Sequence, residues 1–89
     1  MSNNDFEKVI ITIKVRGSNE EYDFEVDSKV TVEELLFKFN EFLSIHKSSV
    51  KENQRYIVMV ETKHDFIDPT LTIEEAGLWE GSILILTPV

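Results

Sequence analysis

The sequence predicts an α+β fold in which a single helix lies on one mixed sheet of four to five strands. Three observations lead there. Residues 30–47, V-T-V-E-E-L-L-F-K-F-N-E-F-L-S-I-H-K, carry apolar side chains at helical spacing. The other regular runs either alternate with the two-residue period of a strand or are apolar throughout. Short polar turns, three of them holding a lone glycine, separate these runs. A chain of 89 residues makes one domain. At this size it buries roughly 60–65% of its unfolded surface, enough for one modest core.

Residues 1–7, opening on the polar M-S-N-N-D, form a disordered lead-in, and 8–89 form the domain. Residues 8–16, K-V-I-I-T-I-K-V-R, are the first strand, with Val9, Ile11, Ile13 and Val15 on the core face. Gly17–Ser18–Asn19–Glu20 is a turn, and residues 21–27 are the second strand of a hairpin. There Tyr22, Phe24 and Val26 point inward and Glu21, Asp23, Glu25 and Asp27 outward. The acidic row can pair across to Lys14 and Arg16 and protects an edge strand from aggregation.

The helix is marked at its start by Thr31 as N-cap and Glu34 as its capping-box partner, with Val30 and Leu35 spaced as a hydrophobic staple. At about 100° per residue, Val32, Leu35, Leu36, Phe39 and Leu43 share one face and Phe42 lies at its margin. Residues 44–54 have the composition of a loop. Residues 55–61, R-Y-I-V-M-V-E, are a third strand whose two parities are both apolar, so the residues alone leave its inward face open. Phe66-Ile67 is short enough for a minor strand, and Asp68-Pro69-Thr70 breaks the chain. Thr72 and Glu75 fit a second capping box on a single helical turn ended by Gly77. Residues 82–87, S-I-L-I-L-T, are the last strand, again apolar on both faces.

Composition excludes several classes. The net charge is −8 and the nine basic residues are scattered, which argues against nucleic acid and against anionic lipid. No apolar run approaches the about 20 residues that a membrane helix needs, and the amino terminus has no signal-peptide pattern. With no cysteine there is no disulfide and no thiolate nucleophile. The expectation is a cytoplasmic protein without direct membrane insertion. No catalytic constellation is present. His64 with Asp65 and Asp68 has no specific metal spacing and reads as a solvated turn, and His46 reads as a packing residue at the helix end. The three glycines stand alone, so there is no phosphate loop. The expectation is therefore no enzyme, no cofactor and no metal.

The element order, carried by I-T-I-K-V (11–15), Y-D-F-E-V-D-S-K-V-T-V-E-E-L-L (22–36) and L-T-I-E-E-A-G-L-W-E-G-S-I-L-I-L (71–86), resembles the ubiquitin-like β-grasp over nearly the whole chain. The resemblance implies that Ile73, Leu78, Leu84 and Leu86 enter the core and that Ile83 and Ile85 face outward. Within that fold the chain resembles the small bacterial YukD/EsaB proteins of type VII (Esx/WXG) secretion systems, through its length, Y-D-F-E-V leading into V-T-V-E-E-L-L, and I-V-M-V-E-T-K. That family implies a non-enzymatic accessory protein binding non-covalently to a secretion-system membrane component or ATPase. It also implies Ile57 and Met59 inward, with Val58 and Val60 outside. The alternative is the small ubiquitin-like subunit of a bacterial multicomponent monooxygenase. Conjugation in the manner of ubiquitin would need a C-terminal Gly-Gly, which Thr87-Pro88-Val89 does not supply.

The candidate protein-binding residues follow from these parities. Ile10, Val58, Val60, Ile83 and Ile85 are expected on the sheet face opposite the helix, as a docking patch for a protein partner or the interface of a homodimer. Trp79 and Phe37 are secondary candidates. Trp79 reads equally as a hot-spot anchor and as a lid over the core, and Phe37 as an anchor or as a residue covered by the 44–54 loop.

Overall fold

A computed structural model describes residues 8–46, 55–61 and 65–89. The elements follow in the order β1 (Lys8–Val15), β2 (Glu21–Asp27), α1 (Val32–His46), β3 (Tyr56–Val60) and β4 (Ile83–Pro88). The four strands form one sheet in the order β2-β1-β4-β3. β1 and β2 are an antiparallel hairpin, β4 runs parallel to β1, and β3 is antiparallel to β4. The first and last strands are thus neighbours at the centre. Phe66 makes an isolated bridge to Met59 and does not extend into a strand, because the chain turns at once. Leu71 N–H donates to Asp68 O at 3.1 Å with Pro69 in the following position. The Thr70 N–H and hydroxyl both donate to the Asp68 carboxylate, at 2.9 and 2.7 Å, and hold it below the usual carboxylate range. Residues 1–7, expected as a lead-in, 47–54 of the loop expected over 44–54, and 62–64 with His64 lie outside the described residues, as does the side chain of His46, whereas residues 44–46 continue α1.

The start of α1 accounts for each of its first backbone donors. Val32 N–H donates to Leu71 O and Glu33 N–H to Pro69 O, both at 2.9 Å. Glu34 N–H donates to Thr31 Oγ1 at 3.1 Å, and Thr31 N–H returns the bond to Glu34 Oε1 at 3.1 Å, closing the capping box. Leu35 N–H begins the helical ladder at Thr31 O. The second box forms in the same way, Thr72 N–H to Glu75 Oε1 and Glu75 N–H to Thr72 Oγ1, both 3.0 Å. The turn it starts ends after Gly77, whose φ of 77° is left-handed. A Thr31–Thr72 bridge and the bonds Ile73 N–H to Val30 O (2.8 Å) and Glu74 N–H to Ser28 O (3.0 Å) tie the two capped turns together.

The core lies between α1 and one face of the sheet. Val32, Leu35, Phe39 and Leu43 from the helix meet Ile11, Ile13, Val15, Val26, Leu84 and Leu86 from the strands, and Ile73 and Leu78 close one end. Tyr22 and Phe24 of β2 meet Phe39 and Phe42 of α1 edge to face, at centroid distances of 5.3–5.9 Å. The face of β3 corrects the expectation drawn from the family resemblance. Val58 and Val60 are buried, at 3% and 9% exposure, whereas Ile57 is 45% exposed. The pairing register decides this. Val58 stands opposite Leu86 and Val60 opposite Leu84, and residues directly opposite in a ladder share a face. The same parity brings Tyr56 inward, where its ring lies 6.3 Å from that of Phe39. Burying one aromatic ring and two valines wins over burying Ile57 and Met59 with the tyrosine left outside.

Candidate protein-binding site

The outer face of the sheet, away from α1, gathers Ile10 from β1, Ile83 and Ile85 from β4, and Ile57 and Met59 from β3. Ile10 and Ile57 are exposed, and the other three are half-buried. Met59 stands opposite Ile85, Lys14 beside Ile85 on the other flank, and Thr12 beside Ile83. Val58 and Val60, expected here, are replaced by Ile57 and Met59. No local pattern in residues 55–61 could have found them, because the face is assigned only by the register against β4.

An ion pair divides the patch. Lys14 Nζ lies 3.2 Å from Glu61 Oε2 and 3.7 Å from Glu21 Oε2. Lys14 sits on β1 and Glu61 just past β3, with β4 between them. Glu61 N–H donates to Ile83 O, so the pair crosses the outer face of β4 between Ile83 and Ile85. The Glu61 hydrogen bond and charge, with the charge of Glu21, hold the Lys14 ammonium above its ordinary pKa. Each isoleucine lines a shallow depression on its own side of this strap. One of about 220 Å³ is formed by Lys14, Val15, Arg16, Gly17, Ser18 and Ile85. The other, about 160 Å³, lies among Val60, Trp79, Glu80, Gly81, Ser82 and Ile83.

Trp79 stands at the rim of the second depression and is 65% exposed. It is presented by a tight turn in which Ser82 N–H donates to Trp79 O at 2.9 Å and Trp79 N–H to Ser82 Oγ at 3.0 Å. Gly81, with φ +85°, takes the left-handed position this turn requires. Its N–H donates to Ile10 O, and Glu80 Oε1 accepts from Ile10 N–H, so the turn is fastened to β1 beside the patch. Phe37 is also 65% exposed, but it projects from the side of α1 opposite the buried stripe and belongs to no common site with the sheet face. The loop expected to cover it lies outside the described residues, as does His64. Among the described residues no three His, Asp or Glu side chains converge as metal ligands, and no helix is long and apolar enough to cross a membrane.

This architecture, one helix across a four-stranded sheet with parallel first and last strands, is that of a ubiquitin-like protein. Ubiquitin from Caldiarchaeum subterraneum superposes with a TM-score of 0.69 at 19% identity, covering 93% of this chain and 95% of that one. The EccD5 ubiquitin-like domain from Mycobacterium xenopi gives 0.62 at 16% identity over 93% and 96%. A chain of a toluene 4-monooxygenase HD complex gives 0.71 at 12% identity over 93% and 100%. These likenesses are of fold. Over residues 10–86 the sequence matches the family described as protein YukD of the WXG100 protein secretion system (Wss). The chain belongs to the YukD family, and is a ubiquitin-like protein of a secretion-related kind. No curated protein sequence matches it.

Proposed function

We propose that this protein is a non-catalytic, unconjugated cytoplasmic accessory of a bacterial type VII (WXG100) secretion system, and that it docks non-covalently on a membrane component or ATPase of that system. The observation that carries the docking part is the outer sheet face. Five aliphatic side chains, Ile10, Ile57, Met59, Ile83 and Ile85, gather on one face that no element of the described residues covers, with Trp79 at its rim. Several aliphatics exposed together on one face, here in two parts either side of the Lys14–Glu61 pair, are characteristic of a partner surface, and an exposed tryptophan is a favoured anchor. Membership of the YukD family supports the secretion part.

The test is affinity capture of the tagged chain from its native cells, with bound proteins identified by mass spectrometry, beside the double variant Ile57→Asp/Ile85→Asp. Both substitutions fall on the outer face and leave the core intact, which a urea titration verifies. Recovery of a secretion membrane component or ATPase by the wild type, and its loss in the variant, is the expected result. Equal recovery by both chains, or recovery of oxygenase subunits instead, would overturn the proposal.

A further inference from the structure

The two edges of the sheet are treated differently. The free side of β3 is occupied: Val60 N–H donates to Asp65 O at 3.2 Å, Ile67 N–H to Val58 O at 2.9 Å, and Phe66 bridges Met59. β2 has β1 on one side and, among the described residues, no strand or bridge on the other. Along residues 23–27, alternate backbone N–H and C=O groups therefore aim away from the sheet, as they do on any edge strand. The side chains flanking this edge are sharply divided. Asp23, Glu25 and Asp27 stand on the outer face. On the inner face the half-buried Phe24 ring meets that of Phe42, also half-buried, at 5.3 Å and 82°. Ile45, one turn beyond Phe42 on α1, is exposed.

A second copy of this chain is a poor occupant, because pairing β2 with β2 places carboxylates opposite carboxylates, which is destabilising. We infer that the β2 edge takes up an extended segment of another protein in which Lys or Arg alternates with aliphatic residues, added as a fifth strand. Its basic side chains then stand beside Asp23, Glu25 and Asp27, and its aliphatic ones point down onto Phe24 and Phe42. Main-chain bonds supply affinity and the alternation supplies selectivity, as in other strand additions. The site is separate from the face of β4, so one partner can occupy each.

The test titrates the ¹⁵N-labelled full chain with a synthetic peptide of about eight residues, a usual strand length, alternating lysine and valine. Amide shifts and slowed hydrogen exchange concentrated at residues 23–27 are expected, with binding weakened several-fold between about 50 and 200 mM salt. A glutamate–valine peptide is expected not to bind. The variant Asp23→Lys/Glu25→Lys should lose at least tenfold in affinity for the lysine peptide and gain the glutamate one. Shifts centred on Ile83 and Ile85, shifts spread over all acidic residues without exchange protection, self-association through β2, or no binding would each overturn the inference.

Discussion

Phe39 is fully buried, and its ring meets those of Tyr22, Phe24 and Tyr56, so a single side chain joins the helix to both edge strands. Truncation to alanine in such a position costs about 3–5 kcal/mol, a large share of what a small domain has. Ser28 is the opposite case. It is 6% exposed and its hydroxyl has no hydrogen-bond partner, so Ser28→Ala removes an unpaid desolvation penalty. Urea midpoints of the two variants should move apart: a severe drop for Phe39→Ala, and no change or a rise for Ser28→Ala. A clear loss for Ser28→Ala would mean that the hydroxyl has a role its surroundings do not reveal. Phe39 is legible in the sequence because helical spacing singles it out. Ser28 is not, since nothing in V-D-S-K-V distinguishes a buried turn serine from an exposed one.

At the scale of elements, the two Thr-x-x-Glu boxes were legible because each is a local pattern closed by its own residues. What joins them was not. The carbonyls of Pro69 and Leu71 reach the helix start only because the chain returns there from a distant position. Thr31→Ala and Thr72→Ala should each cost about 1 kcal/mol. Since the capped turns are bonded to each other, the double variant should cost less than the sum by about 0.5 kcal/mol or more, the range seen for coupled neighbours. Strict additivity in a denaturation cycle would show that the turns melt independently. The face of β3 marks another limit of local reading. Tyr56-Ile57-Val58-Met59-Val60 is apolar on both sides, and only the register against β4 settles it. The candidate patch inherits that limit: its β1 member was readable from alternation and its β4 members from the ubiquitin-like resemblance, whereas Ile57 and Met59 emerge only from pairing.

For the whole molecule, two groups make alkaline pH a loosening condition. Burial, and then the neighbouring Tyr22, raise the Tyr56 phenol above its ordinary value of 10.0. Lys14 is raised above 10.5 by Glu61 and Glu21. Both groups hold their protons more tightly folded than unfolded. Their contribution is therefore complete below the unfolded values and is lost as pH climbs through the folded ones. The urea midpoint should hold up to about pH 9 and fall above about pH 10, and Tyr56→Phe should make that fall shallower. Identical profiles for the two chains would place the cause elsewhere.

The sheet order also has a consequence in time. β4 is the last strand to be synthesised, yet it is the strip that joins the β1–β2 hairpin to β3. Until β4 emerges from the ribosome, the hairpin and helix can meet, but β3 has no strand of the sheet to pair with beyond its bridge to Phe66, and the space for Leu84 and Leu86 stays open to water. Assembly is therefore a single late event. A nascent or clipped chain that ends before Ile83 is left with its interior exposed, a natural substrate for chaperones and proteases.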